Sequence, residues 1–334
     1  MSFCYYTVCK QWLVGFFMRF YIYSQGYSET SGGRVVLHRL CHLLNSIDGC
    51  EAFLVPTVPE RLSITNISDF MNDVREMFKW FIKGKFLNIR YKTNPNGSTP
   101  VISKFLIKDL DDAIVVYPEV TYGNPLNAKN VVRWFLHQPG NFSEAVNFGI
   151  NELHYKFNSA IKDFNHCLSV LSKHELKIIY YPLEYYNMEG VSSKEGCCHL
   201  IRKGKDKPHC HPADSIQIDR MSHQEVAEIF KKSKRFISYD DYTAYSLFAV
   251  LCGCESIVVP ADGVTKEQWY SNPTDRYGLA YGFSEEELEL ASQTSSKVLE
   301  HILNEHQRSF DNVIRFVDEV KSHFGNPDDG SKTR

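Results

Sequence analysis

Apolar and polar stretches alternate along this chain in a way that predicts strands and helices in turn. Residues 20–24 form a short apolar run closed by Gln25-Gly26-Tyr27-Ser28, the pattern of a buried strand and its turn. Ser31-Gly32-Gly33 opens a helix in which Val36, Leu37, Leu40, Leu43 and Leu44 recur at helical spacing, a stripe that must face a core. Asp48-Gly49 stops that helix and residues 52–55 supply the next strand, completing a β-α-β unit with a glycine-rich first turn. Near-continuous apolar runs at 113–117 and 131–136 have the character of strands buried on both faces, and 176–181 reads as one more. In the second half, Ser222 with Glu225 three residues on is a capping box that starts a helix over 223–231. Phe236 and Ile237, a helix of small residues, and the run 257–259 then repeat strand, helix and strand. After Gly278-Leu279-Ala280-Tyr281-Gly282 an acidic helix starts at Ser284, and 295–324 is helical in pattern. Strands alternating with helices indicate an α/β fold with doubly wound parallel sheets.

The 334 residues suffice for about two domains. They are expected at 18–183 and 196–295, joined by a linker at 184–195 that holds Gly190 and Ser192-Ser193. Residues 1–17 read as an extension outside the fold, an upstream start or a small membrane-touching anchor. Residues 296–325 are expected as C-terminal helices and 326–334 as a loose tail. The halves share an architecture but no internal sequence repeat.

The turn between the strand at 236–237 and the next helix is crowded with polar groups: Ser238, Tyr239, Asp240, Asp241, Tyr242, Thr243, Tyr245 and Ser246. It lies where a parallel strand ends and a helix begins, the place where open α/β sheets bind ligands and helix N-termini hold phosphates. Acids and hydroxyls gathered there read as a grip on a polyhydroxylated ligand, a sugar nucleotide.

Composition narrows the classes. A net charge of −3 argues against a nucleic-acid partner. Nineteen Tyr and 22 Phe either line carbohydrate sites or build cores. Ten cysteines in a chain this long form no disulfide framework; Cys41, Cys252 and Cys254 occupy apolar periodic positions, which predicts free thiols and a reducing, cytoplasmic setting. No apolar run approaches the length of a membrane span. The basic, aromatic segment 71–92 either lies on an anionic bilayer surface or docks as a helix with solvated lysines.

Taken together, residues 19 to 325 resemble a GT-B glycosyltransferase of the retaining family-4 type, the bacterial enzymes that build surface polysaccharides. The resemblance implies two Rossmann-like domains facing across a cleft, with the nucleotide sugar held mainly by the second. That family carries an acidic pair, E-x7-E, before a helix that ends in small residues, Gly and a strand. Setting Ala249-Val250-Leu251-Cys252-Gly253 on that helix places Asp240 at the first acid and Phe248 at the second, a departure. Ribose binding would then fall to Thr243, Tyr245 or Ser246, with Asp241 also on the donor side. Arg202 and Lys203, with Lys205 nearby, match the basic pair that neutralises the donor diphosphate in place of a metal, so the resemblance implies no cofactor. Asp240, Arg202 and Lys203 are thus the expected catalytic residues. Gly32 and Gly33 match the glycine turn that reaches toward the donor phosphates, and Glu119 with Asn124 stands as the acceptor-facing pair. The implied partners are a nucleotide-sugar donor and a glycan or lipid-linked acceptor at the inner face of a membrane.

Other constellations carry weaker chemistry. Cys197-Cys198-His199 with His209-Cys210-His211 invites a zinc reading, but the spacing fits no standard ligand pattern and neighbours on a strand point to opposite faces. His38 and His42, one helical turn apart, are either a metal pair or part of a buried face; Trp269-Tyr270 either stacks on a ligand or anchors a loop. No nucleophile elbow or P-loop occurs. Two further functions stay open: a GT-B-fold sugar-nucleotide epimerase, which needs several acids and a histidine around Asp240, and a non-catalytic glycan- or nucleotide-binding module, which the missing acid at Phe248 keeps in play.

Overall fold

A computed structural model describes residues 17–57, 75, 91–107, 110–142, 146–191 and 193–325. The N-terminal extension up to residue 16, the tail at 326–334, and all of the 71–92 segment except Arg75, Tyr91 and Lys92 lie outside the described residues. The chain forms two α/β units: residues up to Ile178 together with those from Ser309 onward, and Ile179–Arg308. The expected linker at 184–195 lies inside the second unit, where Tyr186 is a core residue.

The first unit is built on β1 (Met18–Ser24), α1 (Gly32–Leu44), β2 (Cys50–Pro56), β3 (Ile114–Pro118), β4 (Asn130–Phe135), β5 (Leu153–Lys156) and β6 (Val170–Glu175). These strands make one parallel sheet in the order β2-β1-β3-β4-β5-β6. The two-residue period of each strand sorts its side chains into two layers. Phe20 and Ile22 of β1, Ile114 and Val116 of β3, and Val132 and Trp134 of β4 face a core closed by α1. Val313, Phe316 and Val320, from the second half of the last helix, close the same core. Tyr21, Tyr23, Val115, Tyr117 and Val131 face the other side. Loop residues such as Ile102, Ile107 and Leu126 cover that side, and among the described residues no helix connects β3 to β4, β4 to β5 or β5 to β6. Strands and helices therefore do not alternate through this unit as the sequence suggested.

A second correction concerns 176–181, which is not a strand; β6 precedes it. Leu176 and Ile178 are fully buried in extended chain that has left the sheet to cover the first core, which gives the apolar alternation. The edge strand itself is polar, with Ser172, Lys173, His174 and Glu175, because one of its sides meets solvent.

The second unit runs β7 (Glu195–Leu200), β8 (Ile216–Gln217), α2 (His223–Lys232), β9 (Ser233–Ser238), α3 (Tyr245–Leu251), β10 (Glu255–Val258), α4 (Lys266–Trp269), β11 (Leu279–Tyr281) and α5 (Glu285–Thr294). Its parallel sheet has the order β11-β10-β9-β7-β8. One face packs against Val226, Ala227 and Phe230 of α2, Phe248 and Ala249 of α3, and Val298 and Ile302 of the last helix, α6 (Val298–Phe324). The other face meets Ala291 and Leu288 of α5. The capping box at Ser222 and Glu225 forms as the sequence requires.

Both sheets contain a point where the strand order reverses. In the first, β1 has β2 on one side and β3 on the other; in the second, β7 lies between β8 and β9. The connections leave in opposite directions there, and the space outside the carboxyl ends of the two central strands is the favoured ligand position in such sheets. The order of both sheets is thus compatible with a pair of Rossmann-like units.

Candidate functional site

At the reversal in the second unit, the chain leaves β7 through Ile201, Arg202, Lys203 and Gly204, and leaves β9 through Tyr239, Asp240 and Asp241. The expected basic and acidic turns therefore lie at the ends of adjacent strands. Arg202, Lys203 and Lys205 are solvent-exposed cations. Arg202 adopts φ 38°, a left-handed conformation that a non-glycine residue holds only under constraint. The constraint is Asp219: one carboxylate oxygen accepts the N–H of Arg202 at 2.9 Å, the other that of Ile201 at 3.0 Å. Burial works to raise the Asp219 carboxyl, but those two N–H groups outweigh it and hold it below its ordinary range. The Arg202 guanidinium rests over the ring of Tyr245, 4.7 Å from its centre.

The long loop after β7 folds back over the ends of its neighbours. Lys207 Nζ donates to Asp241 Oδ1 at 2.6 Å and to the Val259 carbonyl at 2.7 Å, tying together the exits of β7, β9 and β10. An added Cβ at Gly204 would lie 2.0 Å from the Tyr239 carbonyl oxygen, so glycine is obligatory there. The phenol oxygen of Tyr239, wholly buried, accepts the N–H groups of Cys210 at 2.7 Å and His211 at 3.1 Å. Its two lone pairs are then spent, so its own proton goes to His211 Nδ1 at 2.8 Å, which fixes the imidazole as the Nε2–H tautomer. The His211 ring stacks on His199 at 3.6 Å, with His209 at 5.3 Å. Burial and the neighbouring imidazoles lower the pKa of His199 and His211, keeping them neutral donors near pH 7.

Asp240 is 6% exposed, and its closest backbone donor, the N–H of Tyr242, is a distant 3.4 Å away. Asp241 is committed to Lys207. Thr243 is half-buried with Oγ1 facing the N–H of Tyr245 at 3.4 Å. Tyr245 and Ser246 point inward: the Tyr245 ring is core, and the Ser246 hydroxyl is buried with no hydrogen-bond partner among the described residues. The helix that follows has seven residues and no side-chain cap, too short to offer the expected phosphate site by itself. Phe248, at the departing position, stacks on Tyr186 at 4.2 Å deep in the core. Trp269 proves to be a loop anchor, donating Nε1–H to the Asp241 carbonyl at 2.8 Å and stacking on Tyr281. The sequence gives Asp219, Lys207 and Gly204 no role at the site, and Tyr239, expected to grip a ligand, instead holds the loop. A two-residue β8 leaves no periodic signal to mark Asp219 as the end of a strand, and only Gly204 in Lys203-Gly204-Lys205 hinted at a tight turn.

At the reversal in the first unit, α1 starts at Gly32 beyond the end of β1, and Glu119 follows β3. Packing within the chain demands neither glycine: an added Cβ at Gly32 meets open space, and at Gly33 ordinary contact with Leu136 Cδ1 at 3.5 Å. Glu119 is 8% exposed; burial pushes its carboxyl up against the opposing pull of the Leu136 N–H, bonded at 2.9 Å. Asn124 is used up in the loop, its amide bonded to Tyr117 and to both backbone groups of Ala128. Below it, the fully buried Arg133 makes a bidentate pair with Glu152 and donates to the carbonyls of Thr121 and Gly123, fixing the loop that follows Glu119. Burial would raise Glu152, yet His154, Arg133 and the Gly149 N–H hold it down to about 2.

The metal readings find no support in these contacts. His38 Nε2 faces the Gln25 carbonyl at 3.0 Å and His42 Nδ1 accepts the Ser98 N–H at 2.9 Å. Cys197 and Cys198 point to opposite faces, and no group of three or more ligating side chains gathers among the described residues. Cys41, Cys252 and Cys254 are buried free thiols; burial pushes Cys252 up to about 11 and Cys254 up to about 12. No described helix is long and apolar enough to cross a membrane. No protein-family model and no curated protein sequence matches this chain.

Proposed function

We propose that the chain is a glycosyltransferase of the GT-B kind, moving a sugar from a nucleotide-diphosphate donor to a glycan or lipid-linked acceptor in surface polysaccharide synthesis. The observation that carries this reading is the β7/β9 reversal, where an exposed cationic turn, Arg202 to Lys205, adjoins the buried carboxyl of Asp240. The acceptor oxygen forms the new bond to the anomeric carbon while the bond to the diphosphate breaks and its electron pair departs on the diphosphate. The acceptor's proton passes to the departing phosphate or to water. Negative charge grows on the diphosphate during this step, so fixed cations at Arg202 and Lys203 stabilise the transition state more than the ground state. Asp240 meets the donor-sugar hydroxyls. In the first unit, Glu119, raised by its burial, is suited to take or give a proton on the acceptor side. Retention of configuration and a place at the inner membrane face follow from the same family likeness.

Thermal stabilisation by UDP-, GDP-, TDP- and CMP-sugars tests the donor site, followed by transfer assays with the nucleotide class that binds. One class should stabilise the protein, Arg202→Ala should weaken the shift, and Asp240→Ala should abolish turnover. Absence of any shift refutes the donor-site assignment, whereas binding without turnover leaves a non-catalytic module. Sugar-nucleotide epimerisation is the second reading, favoured by the neighbouring acids Asp240 and Asp241 and by the His199–His211 stack bonded to Tyr239; it would show as an epimerised donor with no acceptor present.

A further inference from the structure

The sheet of the second unit is missing part of a strand. β7 pairs with β9 from Glu195 onward, but β8 pairs with β7 from Cys198, opposite Ile216. Among the described residues, the first half of β7 therefore has a neighbour on one side and an open slot on the other. Beside it lies a groove of about 460 Å³ whose apolar part is formed by Ile216, Met221 and Ile229. Gly196, which lines it, has φ 65°, and among the described residues nothing lies within 4 Å of where a Cβ would be. Ile216, on the edge strand, is 48% exposed.

We propose that this slot docks an extended, lysine- or arginine-rich segment of a partner protein. An unpaired stretch at a sheet edge presents backbone donors and acceptors that an extended chain completes as an added strand. Charge selects the occupant: among the described residues, Glu195, Asp214, Glu225 and Glu228 line the groove against one cation, Lys232. Glu225 is held by its capping box, leaving Glu195, Asp214 and Glu228 to face a ligand. Alternate side chains of an added strand point to opposite sides, so a segment alternating basic and aliphatic residues sets its aliphatic groups on Ile216 and Ile229 and its cations toward the carboxylates. The slot lies at the amino ends of β7 and β9, opposite the turns at their carboxyl ends, so the inference does not rest on the glycosyltransferase reading.

The test is fluorescence anisotropy of the full chain with a labelled Lys-Val-Lys-Val-Lys peptide at low salt. Glu-Val-Glu-Val-Glu and a parent peptide methylated on alternate backbone nitrogens serve as controls. Glu195→Lys combined with Glu228→Lys, both exposed positions, should weaken binding at least about tenfold, while Glu286→Lys on α5 should leave it unchanged. Backbone methylation should weaken it about fivefold or more. Melting curves check that each variant is folded. Absence of binding, binding indifferent to the double reversal, or a methylated peptide that binds as well as its parent would each overturn the proposal, the last by revealing a diffuse cation site.

Discussion

Removing the Asp219 carboxylate tests whether the cationic turn is held in place or merely lies there. In Asp219→Ala the N–H groups of Ile201 and Arg202, bonded at 3.0 and 2.9 Å, lose their acceptor. Backbone bonds to a charged group each contribute about 1.5–3 kcal/mol, and the partly exposed turn takes the low end of that range. Against this loss, Arg202 is freed from its left-handed conformation, which returns about 1 kcal/mol. The net loss is about 2 kcal/mol, a fall in Tm on the order of 5–10 °C for a unit of this size. Amide exchange should speed up at Arg202 and its neighbours, and donor-induced stabilisation should shrink along with that protection. The pH dependence has a definite sign. The Asp219 carboxyl is depressed in the folded chain, so its contribution is present above the ordinary carboxylate range and is lost as pH falls through its folded value. The difference between wild type and Asp219→Ala should therefore be largest near neutrality and close in acid. Arg202→Gly removes the strain while keeping both bonds, and should match or exceed wild-type stability. Unchanged amide protection in Asp219→Ala, or an Arg202→Gly variant as unstable as Asp219→Ala, would refute this account of the turn.

Three more outcomes follow from the packing. Glu152→Gln leaves the buried Arg133 guanidinium without its counter-charge and should cost about 3–5 kcal/mol by denaturant titration; because Glu152 is held down to about 2, wild type should lose that contribution between pH 5 and 2, with the variant insensitive over the same window. Gly204→Ala sets a methyl 2.0 Å from the Tyr239 carbonyl oxygen and should destabilise the chain by at least about 3 kcal/mol, with a wild-type melting curve as the contrary result. Phe248→Glu, which restores the acid of the glycosyltransferase pattern, buries a charge against Tyr186 and Tyr181 and should lower Tm sharply without improving donor binding; a stable variant with tighter binding would place residue 248 at the site after all.

The sequence was most legible where burial is two-sided and periodic. Phe20, Ile22, Val116 and Val132 had to lie in a parallel sheet, and α1 with its leucine stripe had to cover it, because each choice of residue agrees with the local period. It misled where a segment left the sheet but stayed buried: Leu176 and Ile178 alternate like a strand because every second side chain reaches the core, whereas β6 beside them is polar because it is an edge. At the candidate site, chemistry was readable by residue type but not by orientation. Asp240 and Arg202 do end adjacent strands, yet Tyr245 and Ser246, equally polar in the sequence, turn inward, and Asp241 is taken by a lysine 34 residues away. The residues that hold the site together act through long-range contacts that leave no local signature. Asp219 works by accepting two backbone protons at the end of a different strand, and Tyr239 by donating to a histidine 28 residues upstream. Local period fixes which elements form; the identity of the groups left free to meet a ligand is decided only when the β7 loop folds back and claims Asp241, Tyr239 and the Val259 carbonyl.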